Sequence, residues 1–585
     1  MSSRPALLDG FPSLLALVNE IDAYLARKYP DFFGESPKHP YLPVKRAKVV
    51  HDNIWGTNRY TWRELVLIDS PIIQRLRDIH QVGLGFHVYP SARHSRFEHC
   101  LGVVTIASRV FDALLQRNEG EFENILKVLR SDVLPKFAIA KLKQELRLAA
   151  LLHDTGHSLF SHTSELVYSR LELLKKSVRE IKGITGKEKG AGEVISFCIA
   201  STPSVAKLLD RTKSQLIGDI SSDDYQGDID MTAVALMIVG RTKHPFLQFL
   251  SDIISSGFDA DKLDYLIRDA KSAGLPLSYD IDRYLYAVHV EKDKIFDDEN
   301  QLENFYKIVS DHVPPRKKAG VDARYAYYES YRLRLPRKAI NAVEQIIICK
   351  MMLYGYLYHH PKVRAAEGIL QRLLIELVAE WKKDGFSDQQ ILERFLDFTD
   401  SVLSSTELTS SKVECVQEYT YRIKNRLLPR EVYRFGGGTT SHAEGELLAD
   451  FLTDLRDPGQ GDATVSRLEK AIGEQLLQAD ANLGPEWSDA LRKAGVWLDI
   501  PKPPKFEDVN VLISSGEGIS DGVQIAQVFP ISQWTQAYTA FRYYVRIFAF
   551  SEYMEKTEAA AKVAMQEVIG IKGDRFYQEV RRSRS

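Results

Sequence analysis

Little in this chain answers to the needs of a secreted or membrane-spanning protein. Its 585 residues include four cysteines, at 100, 198, 349 and 415, too few and too scattered for a disulfide framework or a zinc ribbon. No apolar run approaches the roughly 18 residues of a spanning helix. The opening MSSRPALLDGFPSLLALVNEIDAYLARKYP interrupts its Leu and Ala clusters with Asp, Glu and Arg, unlike a signal peptide. A reducing, cytoplasmic location, with no membrane partner, is expected. Charge of one sign is also missing. With 77 Lys and Arg against 79 Asp and Glu, the formal net charge is -2, which removes the global basicity of a nucleic-acid coat and leaves any polyanion to a local patch. Internal repeats and low-complexity tracts are absent. What the chain does have is 44% hydrophobic residues, enough for several cores.

Apolar residues recur at three- and four-residue spacing from about 60 to 430, as in Leu146, Leu148, Leu151 and Leu152, so the centre is expected to be mainly α-helical. Breakers divide it at Pro90, at GITGKEKGAG, at VPPRKKAG and at FGGGTTSHAEG, the last being the best boundary. We therefore expect a helical extension over 1–45, a helical core over 46–434 with an insertion at about 296–337, and a smaller α+β region over 435–585 that serves regulation or oligomerisation. In that last region short β-branched runs precede one long helical pattern, FRYYVRIFAFSEYMEKTEAAAKVAMQEVIG. The Tyr- and Arg-rich stretch 319–337 would suit stacking on nucleic acid or a protein, and a packed, polar-edged helix is the favoured reading.

Chemistry concentrates in three segments, RHSRFEHCLG, LLHDTGHSLFSH and FDADKLDYLIRD. Ser95 and Glu98 form a capping-box pattern that starts a helix at Arg96 and holds His99 in its first turn. An apolar helix delivers His153 and Asp154 at its end, and Gly156 permits a sharp exit toward His157 and His162. Asp259 caps a helix that carries Asp261, Asp264 and Tyr265 on one face. Two imidazoles and two carboxylates suit one divalent cation such as Mn, Fe, Zn or Mg, and make hydrolysis a natural use. Any one of these residues alone reads as a core or capping group. Together, in otherwise apolar helices, they are costly to bury without a metal or hydrogen-bond partners.

These segments resemble the HD superfamily of metal-dependent phosphohydrolases, and more narrowly the branch of bacterial dNTP triphosphohydrolases and the SAM-and-HD-domain dNTPase. The likeness runs from KVVHDNIWGTNRYTWRELVLIDS through RHSRFEHCLG and DADKLDYLIRDA to YLYHHPKVRAAEGIL. It implies an HD-domain helical core with metal ligands His99, His153, Asp154 and Asp261. It implies Arg96 as a phosphate-binding arginine and His157 and His162 along the triphosphate and catalytic region. Gln81 and Asp269 would hold the sugar 3′-hydroxyl, Tyr265 and Tyr358 would frame the sugar, and Lys262 and Lys350 would meet phosphate. The implied reaction is hydrolysis of a dNTP to deoxynucleoside and triphosphate by water attack at the α-phosphorus, with a second Mg arriving on the nucleotide.

The resemblance departs from pattern at Lys187, which stands where relatives have a histidine before Glu188. A lysine with an ordinary value of about 10.4 is a poor proton donor unless its surroundings lower it. Lys187 as a tuned acid, His157 acting alone, a slow or disabled hydrolase, and a plain surface lysine all remain open. Lys48, Val49, Asp69, Gln74 and Arg77 match a guanine-nucleotide effector site of the family, with His51 in place of its usual Asn. A GTP or dNTP effector and a homo-oligomer, dimer or tetramer, would follow. The alternative to that site is Asp69 capping the helix that begins at Pro71. Two other functions compete with the hydrolase: a dNTP-binding sensor or scaffold of weak activity, and an HD phosphodiesterase or nuclease guided by the basic loop between Lys175 and Lys189.

Overall fold

The computed structural model describes residues 6–35, 47–128, 135–213, 227–294, 329–436, 458–500, 529–542 and 545–571, with isolated positions at 225, 447, 451, 512–514 and 523–524. The fold is mainly α, with small sheets. The elements that matter for the site are α1 (Pro12–Lys28), α2 (Arg96–Arg117), α3 (Pro135–Leu152), α4 (His162–Tyr168), α5 (Ala191–Ala200), α6 (Ala260–Ser272), α7 (Ile340–Leu353) and α8 (Pro361–Lys383). Between α1 and α2 lies a hairpin, β1 (Lys48–Asp52) and β2 (Gly56–Tyr60), in which Val49 faces Arg59.

Helix α2 is buried almost all round, with Cys100, Val103, Val104, Ile106, Ala107, Phe111 and Leu114 showing no exposed surface. Such a helix belongs at the centre of a fold, not on its face. It packs on α3, whose Leu146, Leu148, Leu151 and Leu152 are equally buried. Ser95 caps α2 through Glu98 N–H at 3.4 Å, while the Glu98 carboxylate meets the Ser95 hydroxyl at 3.3 Å, not the Ser95 N–H as in a full capping box. Asp259 caps α6 as its position implies, accepting from Lys262 N–H at 2.9 Å.

Two readings of the sequence need correction. Residues 329–336 are not helical: β4 (Glu329–Pro336) pairs antiparallel with β3 (His289–Lys294). Tyr331, Leu333 and Leu335 alternate into the core, a period of two that the Tyr and Arg density disguises. The rest of the expected insertion, 295–328, lies outside the described residues. Likewise the helical pattern toward the C-terminus breaks in two. Val545–Ala549 is a strand, β7, between β5 (Arg430–Phe435) and β6 (Trp497–Asp499); Phe541 and Arg542 end the helix Ile531–Arg542, and helix resumes at Met554–Ile569. A fully buried central strand shows no alternation, so its apolar run reads equally well as helix. This sheet, α9 (Pro458–Ala479) and α10 (Met554–Ile569) enclose a second hydrophobic core. Arg364 of α8 reaches Asp499 of β6 at 2.6 Å, tying the second core to the first.

Candidate metal and nucleotide site

The end of α3, the start of α2 and the start of α6 meet at one point. His153 Nδ1 donates to the Ala150 carbonyl at 2.7 Å, which leaves its Nε2 as a lone-pair donor. His99 Nδ1 donates to Asp264 at 2.8 Å, and its Nε2 lies 3.0 Å from Asp261. The two rings stand edge to face at 5.3 Å. Both Nε2 atoms are buried; that of His153 has no hydrogen-bond partner among the described residues, and that of His99 has only the Asp261 carboxylate beside it. The ligating atoms of His99, His153 and Asp154 fall within 4.8 Å of one another, and Asp261 reaches both rings, at 3.0 and 4.0 Å. Two buried ring nitrogens converging on two carboxylates are a donor set that a divalent cation satisfies, so the four residues fit one.

Charge follows the same logic. Burial opposes ionisation of Asp154, yet Arg96, ion-paired to it, holds its carboxyl well below the usual range. Arg96 also donates from Nε to Ser161 at 2.8 Å and keeps a buried Nη2 with no hydrogen-bond partner among the described residues. His99 is driven the other way: against burial, Asp261 and Asp264 raise it to about 10, a positive charge that a cation in the same place would replace. Asp264 is in turn gripped by Arg268 at 2.7 and 2.8 Å and by the Trp55 N–H at 2.5 Å. It is the outer carboxylate that orients a ligating histidine. Its spacing three residues after Asp261 was visible in sequence, but spacing does not separate a ligand from the group behind it.

His157 and His162 sit beside this centre, their rings 4.8 Å apart. His157 Nε2 is 3.3 Å from Asp154, and burial together with Arg96 lowers its pKa to about 3. The ring lies against Gly192, where a Cβ would come within 2.6 Å of it. His162 is exposed and bonds Glu165 at 3.0 Å. Crowding works against its charge and the Glu165 bond prevails, raising its pKa.

A second wall lies along α6. Asp269 accepts from the Tyr358 hydroxyl at 2.5 Å and faces His94 Nε2 at 2.7 Å. Gln81 donates its backbone N–H to the His94 carbonyl, and its Oε1 is buried without a partner among the described residues. Tyr265 is half-buried on the same helix. Tyr358 ends a π-turn, Tyr354–Tyr358, in which the two tyrosine rings stand 5.2 Å apart. Turns of this kind are frequent at functional sites. Lys262 is engaged with Asp259 at 2.6 Å, and Lys350 is half-buried in the last turn of α7.

His94 was not singled out in sequence, although it lies two residues before Arg96 in the first His-rich block. Two further residues had no signal at all. Arg75 bonds the Thr155 and His157 carbonyls at 2.8 and 2.5 Å, bracing the turn after Asp154. Asp400 accepts from Phe160 N–H at 2.5 Å and from His80 N–H at 2.8 Å, and pairs with the His80 ring. Phe160 and Ser161 both hold positive φ, 48° and 58°, the strained link between His157 and His162.

Lys187 is exposed, and the charges acting on it are Arg332, Arg241, Asp252 and Lys189, none of them in the His and Asp cluster. Partial burial, with Arg332 and Arg241, lowers its pKa. Lys48 and Val49 are exposed on β1, and Asp69 is exposed after the helix Trp62–Ile68. Asp69 does not cap the next helix, whose N-cap is Ser70. Gln74 donates to the Ile68 carbonyl at 2.7 Å, and Arg77 bonds Gln74 at 2.8 Å while lying 3.6 Å over the Phe97 ring.

Comparison with known proteins agrees with this geometry. An HD domain matches residues 96–195. The chain is 24% identical to a deoxynucleoside triphosphate triphosphohydrolase SAMHD1 homolog of Dictyostelium discoideum, over 67% of this chain and 68% of that one. It is 31% identical to the deoxynucleoside triphosphate triphosphohydrolase SAMHD1 of Bos taurus, over 41% of this chain and 38% of that protein. An uncharacterized protein of Methanocaldococcus jannaschii is 25% identical over 83% and 75% of the two chains. The crystal structure of a hypothetical protein from Aquifex aeolicus shares the fold, with a TM-score of 0.53 and 22% identity, covering 88% of this chain and all of that one. No helix among the described residues is long and apolar enough to cross a membrane. The chain thus carries an HD domain over residues 96–195 and resembles the HD core of the SAMHD1-like dNTPases, which supports an HD-superfamily phosphohydrolase.

Proposed function

We propose that the chain is a metal-dependent deoxynucleoside triphosphate triphosphohydrolase that releases deoxynucleoside and triphosphate. The observation that carries this reading is the adjacency of two sites: the His99, His153, Asp154 and Asp261 cluster, and the Asp269, Tyr358, His94 and Gln81 wall. A divalent cation held by the four ligands would polarise a phosphoryl oxygen and help activate water. Arg96, fixed on Asp154 and Ser161, presents its unpaired Nη2 to a phosphate oxygen and stabilises charge that develops there. Asp269 and the open Gln81 carbonyl accept from a sugar hydroxyl, and Tyr265 and Tyr358 close around the ring. His162, open to solvent and bonded to Glu165, supplies a proton to the departing 5′-oxygen.

The reading extends to a GTP or dNTP effector on Lys48, Val49, Asp69, Gln74 and Arg77 and to a homo-oligomer, and places the enzyme in the cytoplasm. It is tested by incubating the full chain with each dNTP, with and without GTP, under Mn or Mg, and separating the products by ion exchange. Deoxynucleoside plus triphosphate is expected. Release of monophosphate and pyrophosphate, or intact dNTP in every mixture, overturns it. The placement of Lys187 away from the His cluster favours one alternative, a dNTP binder that turns over slowly. That alternative requires tight metal-dependent binding without triphosphate release, with turnover gained in Lys187→His.

A further inference from the structure

Helix α6 carries Asp261, Asp264, Arg268 and Lys271 in one stripe, at three- and four-residue spacing. The first belongs to the cation-binding cluster, and the other three hold the turn of the β1–β2 hairpin. Asp264 Oδ1 accepts the Trp55 indole N–H at 2.5 Å, Arg268 Nη2 donates to Asp52 Oδ2 at 2.7 Å, and Lys271 Nζ donates to the Asn53 carbonyl at 2.5 Å. Asp52 acts twice. Its other oxygen takes the N–H groups of Ile54 and Trp55, at 2.6 and 3.1 Å, which closes the turn and aims the indole at α6.

The inner end of this arrangement is closed. His99 and Asp264 have no exposed surface, and Arg268 has almost none. Asp264 Oδ2 receives His99 Nδ1 and Arg268 Nε, and Oδ1 receives Arg268 Nη2 and the indole. Each oxygen has two donors, so taking one away frees the carboxylate to turn about its Cβ–Cγ bond, and the His99 ring turns with it. Gly102 supplies a second observation. It lies inside α2, where a Cβ would come within 1.9 Å of Asp264 Oδ1 and 2.4 Å of Arg268 Nη2. Glycine inside a helix is unfavourable relative to alanine, and here it makes the room that the pair occupies. The outer end is open by contrast: Lys48, Val49 and His51 of β1 are exposed, and a two-stranded hairpin is marginal without packing.

We propose that Trp55 and Asp52 are positioning residues for the metal ligand His99, so that the hairpin turn sets how tightly the centre holds its cation. The order runs from His99 to Asp264, then to Trp55 directly and to Asp52 through Arg268. Both positioning residues lie ahead of residues 96–195, the extent of the HD-domain match. A carboxylate behind a ligating histidine fixes the tautomer and direction of the ring, and the indole fixes that carboxylate. The inference rests on the reading that His99, His153, Asp154 and Asp261 hold a cation, and on nothing about the substrate.

The test is titration of the chelator-stripped full chain with manganese, followed by electron paramagnetic resonance, and with cobalt, followed by its visible ligand-field absorption. Trp55→Phe keeps a ring and removes one N–H, so folding should survive. Its manganese affinity should fall about three- to tenfold, the worth of one hydrogen bond, and its cobalt bands should shift at saturation. Asp52→Asn keeps an acceptor for the turn, turns an amide toward Arg268 and should weaken binding by a similar factor. Asp264→Asn should lose about 10–100-fold, and adding Trp55→Phe to it should cost no more, because two members of one relay are not additive. Lys271→Ala loosens the same turn without touching the carboxylate and should bind manganese as the wild type does. A tryptophan that serves packing alone would lower urea stability and leave the affinity and cobalt bands of the folded chain unchanged. That result overturns the proposal, as do losses that multiply in the double variant, or a loss in Lys271→Ala equal to that in Trp55→Phe. A wild type that binds neither metal removes the cation site as well, whereas an unaltered Trp55→Phe beside a manganese-binding wild type removes this inference alone.

Discussion

Helix α3 carries buried charge in two places six or seven residues apart, and the two are built oppositely. Around Arg147, Glu64 has no exposed surface and accepts from Thr61 N–H at 2.8 Å, from Gln144 at 2.9 Å and from Arg147 at 2.6 and 2.7 Å. The carboxylate is saturated from within the chain. Around Asp154 the inventory does not close: His153 Nε2, His157 Nδ1, Arg96 Nη2 and Gln81 Oε1 are all buried and without a hydrogen-bond partner among the described residues, and His99 Nε2 has only the Asp261 carboxylate beside it. Folding rarely tolerates so many orphaned groups together, and where they converge on a common space a ligand completes them. Burial of charge alone therefore does not mark function. Unfinished burial does.

The comparison is sharpest when one acid is removed from each place. Asp261→Ala should abolish hydrolysis, by about a thousandfold or more, because several kcal/mol of charge stabilisation leave with the ligand. Bound metal, measured by atomic emission on the purified chain, should fall with it, and a chelator should do the same to the wild type. Glu64→Ala removes no such ligand yet should cost about 3–5 kcal/mol of stability, since Arg147 is left buried without its partner. Urea unfolding of both variants decides the matter. If Asp261→Ala destabilises as much as Glu64→Ala, the centre is a structural cluster and the contrast fails.

How far the site could be read from sequence divides along the same line. His99, His153, Asp154 and Asp261 stand in short blocks whose residue types are wrong for an apolar helix, so the anomaly itself was legible. The groups that finish the job were not. Asp264 looks like another helix-face carboxylate until its bond to His99 is seen, and Asp400 lies 240 residues from the Phe160 N–H it holds. Such contacts depend on tertiary geometry that no local period encodes. The fold shows the same limit: α2 and α3 follow from their apolar spacing, whereas β4 hid in a Tyr- and Arg-rich stretch and β7 in an unbroken apolar run.

A carboxylate on α3 itself, Glu145, lies between the extremes. Glu145 is buried, accepts one N–H from Asp230 at 2.8 Å and stands 3.7 Å from Lys141. Burial outweighs both and pushes its carboxyl from an ordinary 4.5 up to about 7. The folded chain thus holds this proton more tightly than the unfolded one. Its contribution to stability is complete below pH 4.5 and is lost as pH rises to 7. At about 1.4 kcal/mol for each pH unit between those values, the loss is about 3 kcal/mol. Glu145→Gln keeps an acceptor for Asp230 and removes the titration, so it should stabilise the chain at pH 8 and change little at pH 4.5. Equal melting shifts at both pH values would show that Glu145 is as well satisfied as Glu64.

The smallest effect is expected at Asp400, which serves the open centre while being closed itself. Its two oxygens take Phe160 N–H, His80 N–H and the His80 ring, and Ser161 Oγ returns to the His80 carbonyl at 2.6 Å. This lattice holds two consecutive residues at positive φ, a conformation that non-glycine residues keep only when their surroundings impose it. The strain has a use, since Ser161 is the group that Arg96 Nε grips. Asp400→Asn replaces one acceptor with an amide that cannot receive the His80 N–H, at a cost of about 1–2 kcal/mol. Arg96 and His162 would then be less firmly placed, and kcat should fall about tenfold with bound metal unchanged. Asp400→Glu, which keeps the charge but not the reach, should fall between. A loss of metal in parallel with kcat would instead mean that the two kinds of buried charge are one cooperative unit, and that the boundary drawn between them along α3 is not real.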